Sequence, residues 1–187
     1  MRLELDDTAC VFIDLRATGL LGALGHDPTL TARAERFGVD VPDESEQSEQ
    51  RERTIDAALE VRFAVDAIEV PAGIPAGDRA RMRENMLSRE ALDAARFPTI
   101  ELRGRYAGTL EGGTLSGSLV VRGAPRPLSM PVRVARDGDA FVATGRWEGT
   151  LKALGVKPFK ALLGALKLED WICIRLAARF SASGRPG

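Results

Sequence analysis

Apolar and polar residues alternate with a period of two along most of the chain, and no other feature constrains the fold as strongly. A strand with one buried face puts residues i, i+2 and i+4 on that face. Across residues 171–180, Ile172, Ile174, Leu176, Ala178 and Phe180 share one face, while Cys173, Arg175 and Arg179 share the other. Residues 99–106 set Ile100, Leu102 and Tyr106 against Glu101, Arg103 and Arg105. Residues 55–65 set Ile55, Ala57, Leu59, Val61, Phe63 and Val65 against Asp56, Glu60 and Arg62. Leu115, Leu119 and Val121 alternate with Ser116, Ser118 and Arg122, and Leu128, Met130, Val132 and Val134 with Ser129 and Arg133. Phe141, Trp147 and Leu151 mark a strand over residues 140–151. Val11, Ile13 and Leu15, then Leu30, Ala32 and Ala34, bring the number of candidate strands to eight. Turn signals join several of them: Glu111-Gly112-Gly113, Gly123-Ala124-Pro125 and Asp137-Gly138-Asp139.

Three segments break the alternation. Residues 42–53 are rich in Glu, Gln and Ser and read as a solvated loop. Residues 78–95 favour a helix, with Met82 and Met86 four apart on one helical face. Residues 158–166 read as a short apolar helix with Pro158 in its first turn, its Phe159, Leu162, Leu163 and Leu166 closing one end of the fold. Residues 181–187 form a tail expected to be disordered. No internal repeat divides the 187 residues, which suffice for one domain with a substantial core.

Eight half-buried antiparallel strands must hide one apolar face and satisfy both sheet edges, and a closed barrel does both. The interior of such a barrel is either filled by side chains or holds one slender ligand. Here the inward positions are mostly Val, Leu, Ile and Ala, and Ala32, Ala34, Ala57 and Gly117 leave space. The expectation is an all-β chain with short helices: an eight-stranded antiparallel β-barrel around an internal apolar cavity. Its expected lumen residues are Ile13, Leu30, Leu59, Val61 and Phe63, then Ile100, Leu102, Tyr106 and Leu119. Met130, Val132, Phe141, Trp147, Ile174 and Leu176 continue the series, with Met82, Met86, Phe159 and Leu162 at the ends.

Composition narrows the function. A net charge of -1 gives no footprint for nucleic acid. No segment approaches the ~20 apolar residues of a membrane helix. Residues 1–7 are charged and lack the apolar stretch of a secretory signal, so a cytoplasmic location is expected. Cys10 and Cys173 are then expected as free thiols, a cross-strand disulfide being the alternative. His26 is the only histidine, which excludes a metal site built on several. Beside Asp27 it suggests a triad, but no serine stands in a nucleophile-elbow context. Gly108, Gly112, Gly113 and Gly117 surround a hairpin and do not match a phosphate-cradling loop. Neither catalysis, a metal nor a cofactor is expected.

Four motifs resemble the YceI family. Asn85-Met86-Leu87-Ser88, followed by Phe97-Pro98-Thr99-Ile100-Glu101-Leu102, is similar to the family's segment leading into its mid-chain strand. Residues 115–119, followed by Val121-Arg122-Gly123-Ala124-Pro125-Arg126-Pro127-Leu128, resemble its hairpin. Gly155-Val156-Lys157-Pro158-Phe159 with residues 161–168 resembles its lid before the last strand, and His26 sits where the family has a histidine opening its second strand. The resemblance spans residues 9–180. It implies a lipocalin-like eight-stranded barrel that binds a polyisoprenoid or other long amphiphile in its lumen. The chain departs from the family in residues 42–53 and in Trp171 at the start of the last strand.

The function expected is non-catalytic sequestration or transport of a long-chain amphiphile: a polyisoprenoid, a quinone or a fatty-acid-like lipid. Lys157, Lys160 and Lys167 offer transient membrane contact. Arg79, Arg81, Arg83 and Arg89 either meet an anionic head group at the mouth or form the solvated face of a helix. The alternatives are a barrel with a filled lumen that acts through its surface or as a homodimer, and an enzyme acting on a bound amphiphile.

Overall fold

The alternating segments become strands of one antiparallel sheet, in which the strands of residues 36–149 lie side by side in chain order. A computed structural model describes residues 3–5, 10–19, 27–40, 55–109, 111–158, 160–161 and 166–182. Its strands are β1 (Leu3–Leu5), β2 (Cys10–Gly19), β3 (Thr29–Arg33), β4 (Arg36–Asp40), β5 (Ile55–Ala64), β6 (Thr99–Gly108) and β7 (Gly113–Val121). They continue with β8 (Ala124–Asp137), β9 (Ala140–Gly149), β10 (Lys160–Ala161) and β11 (Leu166–Ala182). The sheet order is β3-β2-β11-β9-β8-β7-β6-β5-β4, with the short β1 and β10 paired to β11.

The two ends of this order, β3 and β4, are separated in sequence only by Ala34 and Glu35. The chain leaves one edge of the sheet and joins the other at once. The Glu35 amide donates to the Arg62 carbonyl at 2.8 Å, and Thr31 bridges Glu69 in both directions. β3 and β4 thus act as one bent strand, which reduces the nine in the order to eight and closes an up-and-down barrel. The bend splits the strand that the sequence reading ended at Ala34, so Phe37 and Val39 are also strand residues.

Turn chemistry sets the registers. Arg122 (φ 52) and Gly123 (φ 71) connect Val121 to Ala124, the all-positive pair of a type I′ hairpin. The turn therefore sits one residue earlier than expected, and Ala124 and Pro125 already belong to β8. In β6 and β7, Gly104 faces Gly117 and Gly108 faces Gly113. A Cβ on Gly117 would strike the Arg103 carbonyl and the Gly104 Cα, so the close approach at this corner requires glycine.

Two other expectations change. Residues 158–166 are not helical where described: Lys160 and Ala161 pair with Lys167 and Leu166, so the edge of β11 satisfies their backbone groups. Cys10 pairs with Ala177 while Cys173 pairs with Asp14, an offset that leaves both thiols free. Residues 42–53, 183–187, His26, Phe159, Leu162 and Leu163 lie outside the described residues.

Helix α1 (Ala76–Leu87) lies between β5 and β6 in the chain and ends at Ser88, whose hydroxyl donates to the Asn85 carbonyl at 2.7 Å. On the outward faces, Arg62 pairs with Glu101 at 2.8 Å and Arg103 with Glu60 at 3.3 Å, with Arg105 on Asp56 beside them. These pairs form a cross-strand ladder on the outer wall.

Candidate functional site: an apolar cavity in the barrel

The inward faces enclose a cavity of about 650 Å³, within the range of sites that bind small molecules. Every strand from β2 to β9, together with β11, contributes to its wall. Ile13 reaches it from β2, Leu30 from β3, and Leu59, Val61 and Phe63 from β5. Ile100, Leu102 and Tyr106 project from β6, and Leu119 from β7. Met130 and Val132 line it from β8, Phe141 from β9, and Ile174 and Leu176 from β11. A bulge in the pairing of β11 with β2, between Leu168 and Ile172, leaves both residues facing inward. Along β5, the lined span from Ile55 to Phe63 is roughly 26 Å at ~3.3 Å per residue, the reach of an extended chain molecule.

The two ends differ. At one, Phe141 and Phe180 stack with ring centroids 5.9 Å apart, in the cluster that holds Tyr106. The Tyr106 hydroxyl donates to the Thr109 carbonyl at 2.6 Å, and burial raises its pKa above the usual phenol value. At the other end, α1 presents Met82, Asn85 and Met86 to the cavity, and the turn after β9 presents Leu151, Leu154 and Val156. Asn85 and Lys157 bring polar side chains to a wall that is otherwise almost wholly aliphatic and aromatic.

Trp147 does not line the cavity. Its ring lies over Gly149 and packs against the core clusters of both halves. The arginines of residues 79–89 are not at the cavity either. Arg79 donates to the Ala72 carbonyl and Arg83 to the carbonyls of Asp66 and Ile68, so both anchor α1 to the preceding loop. Arg81 and Arg89 are exposed. The sequence reading missed Phe37 and Val39, whose alternation beyond Ala34 signals a further strand segment. It also missed Asn85, three residues from Met82 on the same helical face, and Lys157, which no local pattern marks. Among the described residues, no three His, Cys, Asp or Glu side chains converge as a metal site, and no helix is long and apolar enough to cross a membrane.

A family model described as YceI-like domain matches residues 18–176. Among solved structures, BcnA of Burkholderia cenocepacia superposes with a TM-score of 0.66 at 13% identity, over 94% of this chain and 99% of that one. The Campylobacter jejuni YCEI protein that crystallizes with large solvent channels gives 0.57 at 10% identity, over 82% and 85%. At these identities the structural likeness shows the fold alone. No curated protein matches the chain.

Proposed function

The chain belongs to the YceI-like family, and from that premise we propose that it holds one long-chain amphiphile in the barrel lumen, as a carrier and not as a catalyst. The observation that carries this reading is the cavity of about 650 Å³, whose wall is apolar along the whole barrel. Each buried methylene-sized unit contributes about 0.8 kcal/mol. A chain of ten to fifteen such units contributes on the order of 8–12 kcal/mol before association costs, enough for about micromolar affinity without a precise polar site. Lumen length and width then set specificity, which suits a polyisoprenoid, a quinone side chain or a fatty-acid-like lipid. The reading of a lumen packed solid with side chains finds no support in this cavity.

Native mass spectrometry of freshly purified protein, with solvent extraction of the same sample, tests the proposal. The expected result is a bound chain lipid. Leu102 is only partly buried because it borders the cavity, and Leu102→Trp fills the lumen from its wall. That variant is expected to fold and to lose about tenfold or more in affinity for an added chain lipid. Protein that is empty when purified and takes up no added polyisoprenoid, quinone or fatty acid overturns the reading.

A further inference from the structure

The barrel wall has a gap in its hydrogen bonding. β8 and β9 pair only between Val132 and Asp137 on one side and Ala140 and Gly145 on the other. Beyond that, among the described residues, β8 continues back to Ala124 with β7 as its one partner, and β9 continues to Gly149 with β11 as its one partner. Pro125, Pro127 and Pro131 stand at odd positions of the unpaired stretch, so their missing N–H groups fall on one side of the strand. The turn after β9 follows this gap and sends Leu151, Leu154 and Val156 to the cavity.

An arginine occupies the gap. Arg126 follows the register of Leu128 and Met130, which places it on the inward side of β8. Its guanidinium lies directly on Gly155 (φ +76), where a Cβ would come within 2.5 Å of Nη2. Arg126 does not itself line the cavity, but it pairs in register with Leu119 and its guanidinium packs on Gly155 between Leu154 and Val156, all three of these neighbours being lining residues, so it stands just behind the wall. The Arg126 Nε is shielded from solvent and has no hydrogen-bond partner among the described residues. Two residues beyond Gly155, Lys157 lines the cavity and is exposed. The cavity wall contains no carboxylate among the described residues. One cation thus lines one end of an apolar chamber and a second stands just behind the wall there, with a buried donor that has no acceptor among the described residues. A charged donor buried in this way is destabilising, and an anionic acceptor removes the penalty.

We infer that this seam seats the anionic head group of the amphiphile, a carboxylate or a phosphate. Arg126 donates to it through the guanidinium, and Lys157 supplies the second positive charge. The inference rests on the lumen being a lipid site and names the class of lipid it takes.

The test compares chains that differ only in their heads. The delipidated full-length protein is titrated with geranylgeranyl phosphate and geranylgeraniol, and with palmitate and hexadecanol. Each anion is expected to bind about tenfold tighter than its alcohol, with a gap that narrows as salt rises. A gap in only one pair identifies the head group as phosphate or carboxylate. Lys157→Gln, at an exposed position, is expected to narrow the gap, and Arg126→Gln with Lys157→Gln to close it. Alcohol affinities should stay within about twofold. Arg126→Lys keeps the charge but loses the guanidinium fork, so it should retain only part of the preference. Equal binding of anion and alcohol by the unmodified protein, or a gap that survives in both glutamine variants, overturns the inference and leaves the lipid reading standing. Failure of every chain to bind overturns both.

Discussion

Asp14 shows how one side chain couples three strands of the outer wall. Arg175 of β11 donates to it twice, from Nε at 2.6 Å and Nη2 at 2.9 Å, and the Thr29 hydroxyl of β3 donates at 2.7 Å. The Arg175 hydrogen bonds hold the Asp14 carboxyl below its usual range. A depressed carboxylate pKa adds stability that is complete above the unfolded value of 3.8 and is lost as pH falls through the folded value. Arg175 is 41% exposed, so solvent screens the pair and its net worth is about 0.5–1 kcal/mol. Asp14→Asn is therefore expected to lower stability by about that amount at neutral pH. Denaturant melts at stepped pH should show the difference from the unmodified protein vanish only well below pH 4. A difference that persists unchanged in strong acid would mean that packing, and not charge, explains it. Beside this pair, Cys173 faces outward by register yet is 0% exposed. The charged side chains of Asp14, Arg146, Glu148 and Arg175 surround its thiol, and burial pushes the thiol pKa up. Only the thiolate reacts with disulfide reagents. Ellman's reagent is expected to modify the partly exposed Cys10 promptly and Cys173 only after unfolding. Two native thiols reacting at equal rates would contradict the buried placement.

Helix α1 is the element least committed to the fold. None of its 12 residues is buried, and no side chain caps its N-terminus. A helix this short is marginal alone, so its contacts keep it folded. Those contacts include Met82, Asn85 and Met86 over the cavity, Arg79 on the Ala72 carbonyl and Arg83 on the carbonyls of Asp66 and Ile68. Amide exchange over residues 76–87 is expected to be faster than in β6 and β7, and Arg83→Ala to accelerate it further at a cost to global stability below about 1 kcal/mol. Exchange as slow as that of the barrel strands would show α1 to be part of the cooperative core. The helix was legible from its Met82–Met86 spacing, although it ends at Leu87 and not near Ala95 as expected, and the strand faces were legible from alternation, because both periods are local. What escaped the sequence depends on partners distant in the chain. The break at Ala34–Glu35 follows from barrel closure, which Ile55–Ala64 must supply from the opposite edge. Arg126 follows the expected turn Gly123-Ala124-Pro125, and its inward place on β8 emerges only from the hairpin register, which the positive φ of Arg122 sets one residue earlier. The outward parity of Cys173 predicts exposure, but charged side chains from β2, β9 and β11 surround its thiol.

At the scale of the whole molecule, the hollow interior is itself a thermodynamic quantity. A dry, empty cavity of 650 Å³ costs about 15 kcal/mol at ~24 cal/mol per Å³, as much as the full stability of a typical domain. A barrel this hollow must admit water or contract when nothing fills it, so on the proposed reading a bound chain lipid offsets that penalty. Lipid binding is accordingly expected to register as thermal stability. Free ligand at about one hundred times its Kd adds roughly 2.7 kcal/mol, and in a chain of this size each kcal/mol moves Tm by about 2–4 °C. Delipidated protein should therefore melt about 5–10 °C below the saturated form, and each further decade of ligand should raise Tm by about another 3–5 °C. Leu102→Trp separates this linkage from non-specific stabilisation. By filling part of the lumen it should melt at or above the temperature of the empty unmodified protein, and it should lose most of the response to ligand. A variant that gains as much from lipid as the unmodified protein does would place the lipid on the outside of the barrel, where the size of the cavity has no bearing on it.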